Sequence, residues 1–460
     1  MKRSAPLVIV GAGPAGLAAA KTALDHGLPA VLLDEQPAAG GQIYRGVGEA
    51  GEGRRKVLGA DYAKGADLLR VLADKGLDYR PGAEVWEMTR EREIFFTRQG
   101  AVERLAADQL ILCTGAIERP MPFPGWTLPG VMTCGAAQIL LKTAGVYPRQ
   151  DIVLAGSGPL LLLLATQLLA TGAKIAALVE TTPSENYKAA LPYLPAALQA
   201  PDYIFKGLGF IRDLKRAGVP WHKSARELEA LGDNAVLGLR FRDAAGIREV
   251  ACGALLLHQG VVPNVQISRS LRLEHLWDPL QRCWRPKLDD WGLSEIPGVA
   301  VAGDGGGIVG AKASEAQGGL AALGALRRLG ELDTAARDAK ARSLQKDFRR
   351  EVAPRRFLDA LYRPSGAFLR PSDETIACRC EEVTAGRIRE FVALGCLGPN
   401  QAKAFGRSGM GPCQGRVCGL LVSEIMADAR GVSPDEVGYY RIRPPIKPVT
   451  LGEMASMAED

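Results

Sequence analysis

The stretch Leu7-Val8-Ile9-Val10-Gly11-Ala12-Gly13-Pro14-Ala15-Gly16 decides the fold of this 460-residue chain. Its apolar run predicts a strand, and the alanine-rich segment behind it predicts a helix. Gly11 makes the tight turn between them, Gly13 lets the backbone approach a pyrophosphate, and Gly16 permits close packing of the helix on the strand. Pro14-Ala15 opens the helix, whose N-terminus receives phosphate groups. The stretch is therefore a dinucleotide-binding fingerprint in the strand-turn-helix context that it requires.

An acidic residue completes this fingerprint. The second predicted strand, residues 30–33, ends at Asp34-Glu35. A carboxylate about 20 residues after the glycine turn accepts hydrogen bonds from the ribose hydroxyls of a dinucleotide. The spacing to Gly40-Gly41 favours Asp34 over Glu35 as the ribose ligand, and both stay candidates.

Two later strands indicate which dinucleotide binds. Residues 110–113 predict an apolar strand that ends in Thr114-Gly115, and residues 299–302 predict another that ends in Gly303-Asp304. These strand ends resemble those of the two-dinucleotide-binding flavoproteins, the disulfide-reductase-like and amine-oxidase-like FAD enzymes. The resemblance implies that Asp304 binds the ribityl chain of FAD and that the helix after it points its N-terminus at the flavin. A simple helix-capping role is the alternative for Asp304.

A second unit of the same type lies in the middle of the chain. Residues 151–155 predict a strand, Gly156-Ser157-Gly158 a turn, and residues 174–179 a further strand that ends at Glu180. Leu161 replaces the third glycine, which should open the contact between helix and strand or shift the phosphate. Glu180 would repel a 2′-phosphate, so an NAD-like or adenine nucleotide is favoured over NADP. Whether a nucleotide binds stays open, and hydride transfer from NAD(P)H is disfavoured.

Four of the nine cysteines fall in one C-terminal segment. Cys378 and Cys380 form a C-x-C pair, and Cys413 and Cys418 follow with four residues between them. Thiolates at the ends of short turns hold a metal or an iron–sulfur cluster, and nearby glycines let the backbone bend around it. Structural zinc sites usually have two to four residues between paired cysteines, so the C-x-C spacing favours a [2Fe–2S] cluster. Zinc and purely structural cysteines are the alternatives.

Composition excludes several other classes of protein. The net charge of +6 and the absence of a basic run interleaved with aromatic residues argue against nucleic-acid binding. The remaining cysteines are scattered without a pairing pattern, as in a reducing compartment. The apolar stretch at residues 160–170 is too short to span a bilayer. We therefore expect a cytoplasmic protein, with peripheral association at the inner membrane left open.

The sequence contains no recognisable substrate-activating group. None of the four histidines lies in a motif with a nucleophile or a carboxylate: His26, His222, His258 and His275. Thioredoxin-reductase-like flavoproteins carry a redox C-x-x-C near the second lobe, and here the corresponding stretch, Val131-Met132-Thr133-Cys134, lacks its first cysteine. Ser-His-Asp, zinc-protease and phosphate-loop patterns are missing as well. The residues predict bound cofactors without a catalytic base.

Changes in composition divide the chain into domains. The segment after residue 329 is rich in charged residues, and the last segment is basic, aromatic and proline-rich. The predicted units are an FAD-binding domain over residues 1–117 and 285–335, a second nucleotide-binding-like domain over 118–284, a charged helical linker over 336–372, a [2Fe–2S] domain over 373–430 and a docked, extended tail over 431–460.

Nearly the full chain resembles the α subunits of heteromeric bacterial amine and amino-acid dehydrogenases: the A subunit of opine oxidase, the B subunit of hydrogen cyanide synthase, and the α chain of D-hydroxyproline and dye-linked proline dehydrogenases. Residues 34–45, Gly303-Asp304-Gly305, the cysteine segment and residues 440–445 carry the resemblance. It implies an α/β fold with two Rossmann-like lobes, the two-dinucleotide-binding-domain flavoprotein fold. It also implies a small C-terminal [2Fe–2S] domain similar to bacterioferritin-associated ferredoxin, and FAD contacts from Gly41, Gln42, Thr114, Gly115 and Gly303.

The same resemblance implies a division of labour. A separate D-amino-acid-oxidase-like FAD protein, the β subunit, would oxidise a C–N bond of an amino acid or opine, such as octopine, nopaline, D-hydroxyproline, proline or glycine. Electrons would cross an interfacial FMN, then this chain's cluster and FAD, to a respiratory acceptor, and a small ferredoxin-like γ subunit could join the complex. The alternatives are a self-contained NAD(P)H-dependent flavin and iron–sulfur reductase, and a non-catalytic redox sensor or assembly scaffold.

Overall fold

The computed structural model describes residues 3–459. Met1 and Lys2, in the predicted first domain, and Asp460, in the predicted tail, lie outside the described residues. Two α/β lobes are followed by a helical linker and a small C-terminal unit that carries the paired cysteines. This arrangement confirms the predicted α/β fold with two Rossmann-like lobes.

The first lobe is built on a seven-stranded sheet. In sheet order its strands are Leu77–Pro81, Ala30–Asp34, Arg3–Val10, Ala101–Leu112, Glu93–Arg98 and Glu84–Met88, and Val299–Val301 pairs with the second half of Ala101–Leu112. The strands on the Arg3–Val10 side are parallel, and the last three form an antiparallel meander. Helices cover both faces of parallel strands, so a strand such as Ala30–Asp34 is buried along its whole length.

Two helices of the first lobe pack unusually close together. Pro14–Leu24 leaves the glycine turn, and Ala311–Leu329 follows the last strand. A Cβ atom on Gly318 would lie 2.0 Å from the carbonyl oxygen of Ala15, so only glycine allows this approach. The shorter helices of the lobe are Glu52–Leu58, Ala60–Ala63, Gly65–Leu68 and the 3₁₀ turns Leu69–Ala73 and Gly303–Gly306.

A five-stranded parallel sheet forms the second lobe. Its strand order is Trp221–His222, Ile175–Glu180, Ile152–Ser157, Ala254–Gln259 and Val131–Thr133. An antiparallel sheet of Arg226–Leu231, Gly238–Asp243 and Gly246–Ala251 packs beside it, and a ribbon of Ala116–Glu118 with Val261–Pro263 joins the lobes. The helices are Cys134–Ala144, Pro159–Ala170, Ser184–Ala190, Leu194–Ala197 and Pro201–Arg216, with a 3₁₀ turn at Leu191–Tyr193.

The chain then returns to the first lobe and enters the linker. Helix Gln266–Ser270 precedes a ribbon of His275–Asp278 and Cys283–Pro286. The linker contains Thr334–Val352, Arg355–Leu361 and Gly366–Leu369. Asp333 caps the first of these helices, because its carboxylate accepts the N–H of Ala336 at 2.7 Å.

The C-terminal unit shares its hydrophobic core with the first lobe. A short ribbon, Ile376–Cys378 with Val383–Thr384, is followed by helices Ala385–Ala393, Pro399–Gly406, Gly419–Arg430, Pro434–Val437 and Leu451–Ala455 and by a 3₁₀ turn at Ser456–Glu459. Thr384 caps the first of these helices, accepting the N–H of Arg387 at 3.3 Å. Phe391 and Ile425 of this unit belong to the same buried cluster as Phe96 of the first lobe. None of the helices within residues 3–459 has the length and apolar character needed to cross a bilayer.

Candidate functional site

The first glycine turn, residues 11–16, has the close backbone contacts of a nucleotide cradle. Gly11 has φ +106°, and a Cβ there would lie 2.3 Å from the carbonyl oxygen of Cys113. A Cβ on Gly16 would lie 1.8 Å from the carbonyl oxygen of Gly11, and one on Gly13 only 3.6 Å from the Cα of Gly41. Each predicted glycine therefore stands where a side chain would close the turn or the space above it. The turn fits the diphosphate of FAD.

The two candidate ribose ligands have different environments. Asp34 is 7% exposed and its carboxylate accepts the N–H groups of Ala12, at 2.5 Å, and Gln36, at 2.7 Å. Burial, only partly offset by these hydrogen bonds, raises the pKa of Asp34. Burial also acts to raise the pKa of Glu35, but attraction to Lys447 outweighs it and the net pKa is lowered. Asp34 thus fastens the glycine turn to the strand end, while Glu35 faces the C-terminal tail.

The predicted flavin contacts come together at the same edge of the first sheet as the glycine turn, where the parallel strands end. Asp304 accepts the N–H groups of Val309, at 2.8 Å, and Gly310, at 2.9 Å, so it caps the turn before helix Ala311–Leu329. A Cβ on Gly305 would lie 3.0 Å from the hydroxyl of Thr114, which places the two strand ends side by side. Gly310 is the N-cap of that helix and has no side-chain cap, so Asp304 holds the turn before the helix rather than capping the helix itself. Its contact with the ribityl chain of FAD stays a prediction.

Gln42 is held by the second lobe. The ammonium of Lys142, on helix Cys134–Ala144, donates to the carbonyl oxygen of Gln42 at 2.9 Å and to the side chain of Gln138 at 2.8 Å. Lys142 is 4% exposed, and burial lowers its pKa to about 7. The segment Gly41-Gln42 is consequently fixed above the first glycine turn by a contact that crosses between the lobes.

The second glycine turn is more enclosed than the first. Gly156, Ser157 and Gly158 are all buried, whereas Gly11 and Gly13 are half-buried. The residue that replaces the third glycine, Leu161, is 1% exposed and belongs to the core of the second lobe.

The predicted ribose ligand of this second unit is already engaged. Glu180 is 8% exposed, and its carboxylate accepts the indole N–H of Trp221 at 3.0 Å and the hydroxyl of Tyr187 at 3.2 Å. A ribose would have to displace both side chains. A nucleotide at this second unit stays a prediction.

A buried histidine, His258, pairs with the carboxylate of Glu118 beneath this second turn, and the sequence did not predict this contact. His258 Nδ1 lies 2.8 Å from a carboxylate oxygen of Glu118, whose other oxygen accepts the N–H of Gly135 at 2.8 Å. The imidazole also packs under Gly158, where a Cβ would come within 3.1 Å of Nε2. The paired residues are 140 positions apart, and the antiparallel ribbon of Ala116–Glu118 with Val261–Pro263 brings Glu118 to the end of the strand that carries His258. No local sequence pattern could have revealed the contact.

The four predicted cluster ligands converge as two pairs. The thiol of Cys418 hydrogen-bonds to Cys378, and those of Cys380 and Cys413 hydrogen-bond to each other. Cys378 and Cys418 are buried, whereas Cys413 is half-buried and Cys380 exposed. Within the described part of the chain, no three histidine, cysteine or acidic side chains meet at a point that could hold a single metal ion. Two pairs fit a two-iron cluster, in which each iron takes two protein ligands.

Backbone N–H groups surround the buried pair. The hydrogen bond from Cys418 lowers the pKa of Cys378 to about 6 against the opposing effect of burial, and the N–H groups of Gly409, Glu381 and Cys380 lower it further. The thiolate is the form that binds iron, and such N–H groups also stabilise the sulfur atoms of a cluster. A Cβ on Gly411 would lie 2.2 Å from the Cβ of Cys380, so the glycine gives the loop its room. The donor set and its cradle fit a [2Fe–2S] cluster.

A small cavity separates the flavin contacts from the cysteine turn, residues 413–418. Asn264 donates its N–H to the carbonyl oxygen of Gly115 at 2.9 Å, and Gln266 donates its amide to the carbonyl oxygen of Gln414 at 3.3 Å. Trp284 forms part of the remaining wall. The side-chain oxygens of Asn264 and Gln266 are buried without a partner. The cavity therefore has one wall on the predicted flavin end and another on the predicted cluster.

Comparison with known families agrees with this geometry. The pyridine nucleotide-disulphide oxidoreductase family matches residues 5–318, and the sarcosine oxidase A3 domain matches residues 377–458. The first match covers well over half of the chain and includes both glycine turns. The chain therefore belongs to the pyridine nucleotide-disulphide oxidoreductase family, and it is an FAD-dependent oxidoreductase.

Individual relatives narrow the group. The chain is 44% identical to the A subunit of opine oxidase from Rhizobium meliloti over 98% of this chain and 87% of the relative. It is 33% identical to hydrogen cyanide synthase subunit HcnB of Pseudomonas aeruginosa over 98% of this chain and 99% of the relative. These similarities confirm the resemblance expected from the sequence motifs.

The fold also occurs in a solved structure. L-proline dehydrogenase from P. horikoshii superposes with a TM-score of 0.69 and 18% sequence identity, over 98% of this chain and 80% of that one. At this identity the likeness supports the fold alone.

Proposed function

We propose that this chain is the electron-transfer subunit of a heteromeric dehydrogenase, which oxidises the C–N bond of an amino acid or opine on a partner subunit. One observation carries the proposal. The four cysteines lie beside the flavin contacts of a chain that is 44% identical to the A subunit of opine oxidase. One segment connects these two regions, since Asn264 donates its N–H to the carbonyl oxygen of Gly115 and Gln266, two residues further on, donates to that of Gln414.

The histidines support a separate catalytic subunit. Each one is hydrogen-bonded inside the protein: His26 to the carbonyl oxygen of Thr22, His222 to Asp243, His258 to Glu118, and His275 to Ser268 and the carbonyl oxygen of Leu273. Burial lowers the pKa of His275 to about 3, so that imidazole is neutral at physiological pH. A group that exchanges a proton with substrate must reach it, and none of these histidines lines the cavity beside the predicted flavin contacts.

The names of the relatives support a partner. Both are designated as subunits, one of opine oxidase and the other, HcnB, of hydrogen cyanide synthase. By extension, the partner of this chain is a D-amino-acid-oxidase-like FAD protein that holds the amine substrate, and a small ferredoxin-like subunit is a further component. An FMN at the interface would accept electrons from the partner's flavin.

The reaction balances as a two-electron oxidation. The C–N(H) unit loses two electrons and two protons to give an imine, and water then converts the imine to a carbonyl compound and an amine. A [2Fe–2S] cluster would carry the electrons singly to FAD, which can hold two and would supply them to a quinone or another respiratory acceptor. In this chain the first glycine turn and Asp304 would hold FAD, and the four cysteines would hold the cluster. A quinone acceptor would bring the complex to the inner membrane.

Co-purification tests the proposed function. The chain is expressed with its neighbouring gene products and isolated through a tag on this chain alone. We expect a flavoprotein partner to co-purify in fixed stoichiometry, and the complex to reduce an artificial acceptor with at least one member of a panel of opines, proline derivatives and glycine. The isolated chain should give no turnover with the same panel.

Two results would contradict this function. One is substrate-dependent turnover by the isolated chain. The other is rapid bleaching of its flavin by NADH in a stopped-flow experiment, which would favour a self-contained NAD(P)H-dependent reductase. The enclosed second glycine turn and the engaged Glu180 support the expectation that NADH leaves the flavin oxidised. A complex that assembles but never turns over would indicate a redox sensor.

A further inference from the structure

A cation without a counter-ion lies against the aromatic wall of the cavity beside the cysteine turn. The guanidinium of Arg269, on helix Gln266–Ser270, lies against two rings that contact each other edge to face, 5.2 Å from the centroid of Trp284 and 4.5 Å from that of Tyr439. Its Nε and Nη2 atoms are buried and have no hydrogen-bond partner among the described residues, while the side chain as a whole is half-buried. Among the described residues it forms no ion pair, and its nearest acidic influences are the Tyr439 hydroxyl and Asp435.

This arrangement lowers the stability of the folded protein, so we expect the charge to have a functional role. Burial lowers the pKa of Arg269 to about 10, so the group stays positive at neutral pH. A buried charge without a partner destabilises a fold, and stacking on two aromatic rings recovers only part of that loss. The cation also raises the cost of protonating its neighbour His275, whose pKa is lowered by burial and then by Arg269. Arg269 therefore adds an uncompensated positive charge to this junction.

The ring of Tyr439 joins Arg269 to the cysteine turn. One face stacks on the guanidinium, and the hydroxyl at the far end lies 3.5 Å from the carbonyl oxygen of Gly415. A Cβ on Gly419 would lie 2.4 Å from the same hydroxyl. Tyr439 is thus pressed against the turn that carries two of the four thiols. The ring of Tyr439 lies between the charge and this turn, and an aromatic ring screens a charge less than water does.

We propose that Arg269 is the electrostatic group that raises the reduction potential of the cysteine-bound cluster. On reduction the cluster gains one electron, no bond forms or breaks, and its net charge becomes more negative by one. The buried guanidinium stabilises that added charge and so favours electron arrival from the partner. This inference rests on the proposed function, because it requires the cluster. Arg269 acts on the cluster through its electric field and does not touch it, so it is a positioning residue rather than a catalytic one.

Ligand binding is a poorer explanation for this cation. Trp284 and Tyr439 line the cavity beside the cysteine turn, whereas Arg269 does not. The two rings therefore stand between the guanidinium and anything bound in the cavity. A carboxylate in the cavity could not reach Nε or Nη2 without moving both aromatic side chains.

Redox titration of the full complex tests the proposal. In Arg269→Met we expect the equilibrium constant for one-electron reduction of the cluster to fall about tenfold, which corresponds to about 59 mV. The potential is read from the cluster's visible absorption and from the electron paramagnetic resonance signal of its reduced form. Arg269→Lys keeps the charge, so its equilibrium constant for cluster reduction should stay within twofold of the wild-type value. Arg272 is an exposed arginine three positions further on. In Arg272→Met the equilibrium constant for cluster reduction should also stay within twofold of the wild-type value, because water screens the charge of Arg272.

The outcomes separate this inference from the proposed function. An unchanged potential in Arg269→Met would overturn the role of Arg269 and leave the proposed function intact, as would a lower melting temperature with no redox change. Wild-type protein without the absorption of a cluster would overturn both. Because Arg269→Met removes an unpaired buried charge, we expect its melting temperature to equal or exceed that of the wild type. If that variant fails to fold, Arg269→Gln is titrated in its place against the same threshold.

Discussion

Cys380 and Cys413 differ from their two partners in access to solvent. Cys378 and Cys418 are buried beneath the shared core, whereas Cys380 is exposed and Cys413 half-buried. A cluster on these four sulfurs would thus be reachable from the surface at one edge only. Electrons from another subunit would enter at the exposed pair, while the buried pair faces the first lobe.

Replacing a cysteine of the exposed pair should remove the cluster and leave the flavin. For Cys380→Ser and for Cys413→Ser we expect loss of the cluster's visible absorption and at least a tenfold fall in iron content. FAD should stay near one per chain, because the first glycine turn lies in another lobe. Absorption spectroscopy with iron and flavin analysis measures both quantities.

Cys396→Ser is the matched control, since Cys396 is a buried cysteine of the same unit that belongs to neither pair. Cys396→Ser should keep the absorption of the cluster and that of FAD. A cluster spectrum that survives both replacements in the exposed pair would show that the ligand set is different.

At the scale of single residues, the sequence predicted the groups that lie in recognisable local patterns. The C-x-C pair and the strand-end acids belong to this class, because chain neighbours fix their spacing. The roles within each set depended on the tertiary structure. Asp34 accepts two backbone N–H groups and Glu35 meets Lys447, from the far end of the chain. The cation of Arg269 becomes unusual only in the fold, where no carboxylate of the described residues forms an ion pair with it.

At the scale of elements, helix Cys134–Ala144 links the two lobes. Lys142 near its C-terminal end is buried and donates to the carbonyl oxygen of Gln42 in the loop above the first glycine turn. The pKa of this lysine falls from an ordinary 10.5 to about 7, mainly through burial and then through repulsion from Arg45. One helix of the second lobe therefore holds a loop of the first through a charge whose presence depends on pH.

The titration of Lys142 should make the free energy of unfolding increase as pH rises. Between pH 7 and 10.5 the unfolded chain binds a proton on this lysine that the folded chain does not. The free energy of unfolding then increases with pH across that window, by up to about 1.4 kcal/mol per pH unit. In Lys142→Met this contribution disappears, so the slope between pH 8 and 10 should fall by about 1 kcal/mol per unit. Urea denaturation followed by circular dichroism at several pH values measures the slope.

Lys56→Met controls for the general loss of a lysine, because Lys56 is exposed on a neighbouring helix. Its slope should match that of the wild type. If Lys142→Met and the wild type show parallel curves from pH 8 to 10, the ammonium is charged in the folded state and the buried neutral form is excluded.

The sequence predicted the elements with a strong pattern and missed those defined by packing. The strands before each glycine turn and the helices behind them lie within a few residues of the predicted bounds. Replacement of the third glycine by Leu161 was expected to open the helix–strand contact or shift the phosphate, and the side chain fills the lobe's core. The antiparallel strands at 226–251 alternate too weakly to be recognised in the sequence, since their stability comes from cross-strand pairing.

At the scale of the whole molecule, one hydrophobic core extends from the first sheet into the C-terminal unit. Ile442 and Ile446 of the tail are each 3% exposed and belong to the same cluster as Val85 and Met88 of the first sheet. The N–H of Ile446 donates to the carbonyl oxygen of Trp86 at 2.9 Å. The proposed cluster and the flavin lobe are therefore parts of a single packed body.

Polar contacts continue this connection to the nucleotide end. The ammonium of Lys447 pairs with Glu35 and, at 3.4 Å, with Glu84. Arg416 of the cysteine turn donates to the carbonyl oxygen of Ile446 at 3.3 Å. The tail thus touches the cysteine turn on one side and the strand end beside the first glycine turn on the other.

Because the core is continuous, damage to the tail should loosen the flavin. Ile446→Ala removes buried methyl groups and should lower the free energy of unfolding by about 2–4 kcal/mol. In urea we expect the rise of flavin fluorescence on release of FAD and the loss of circular dichroism to shift together, since one cooperative unit unfolds. Leu451→Ala, in the same tail at 89% exposure, should leave both midpoints unchanged. If the flavin transition stays at its wild-type midpoint while the circular dichroism transition shifts, the tail and the flavin lobe unfold separately. The shared core would then contribute little to holding the two proposed redox centres at a fixed separation.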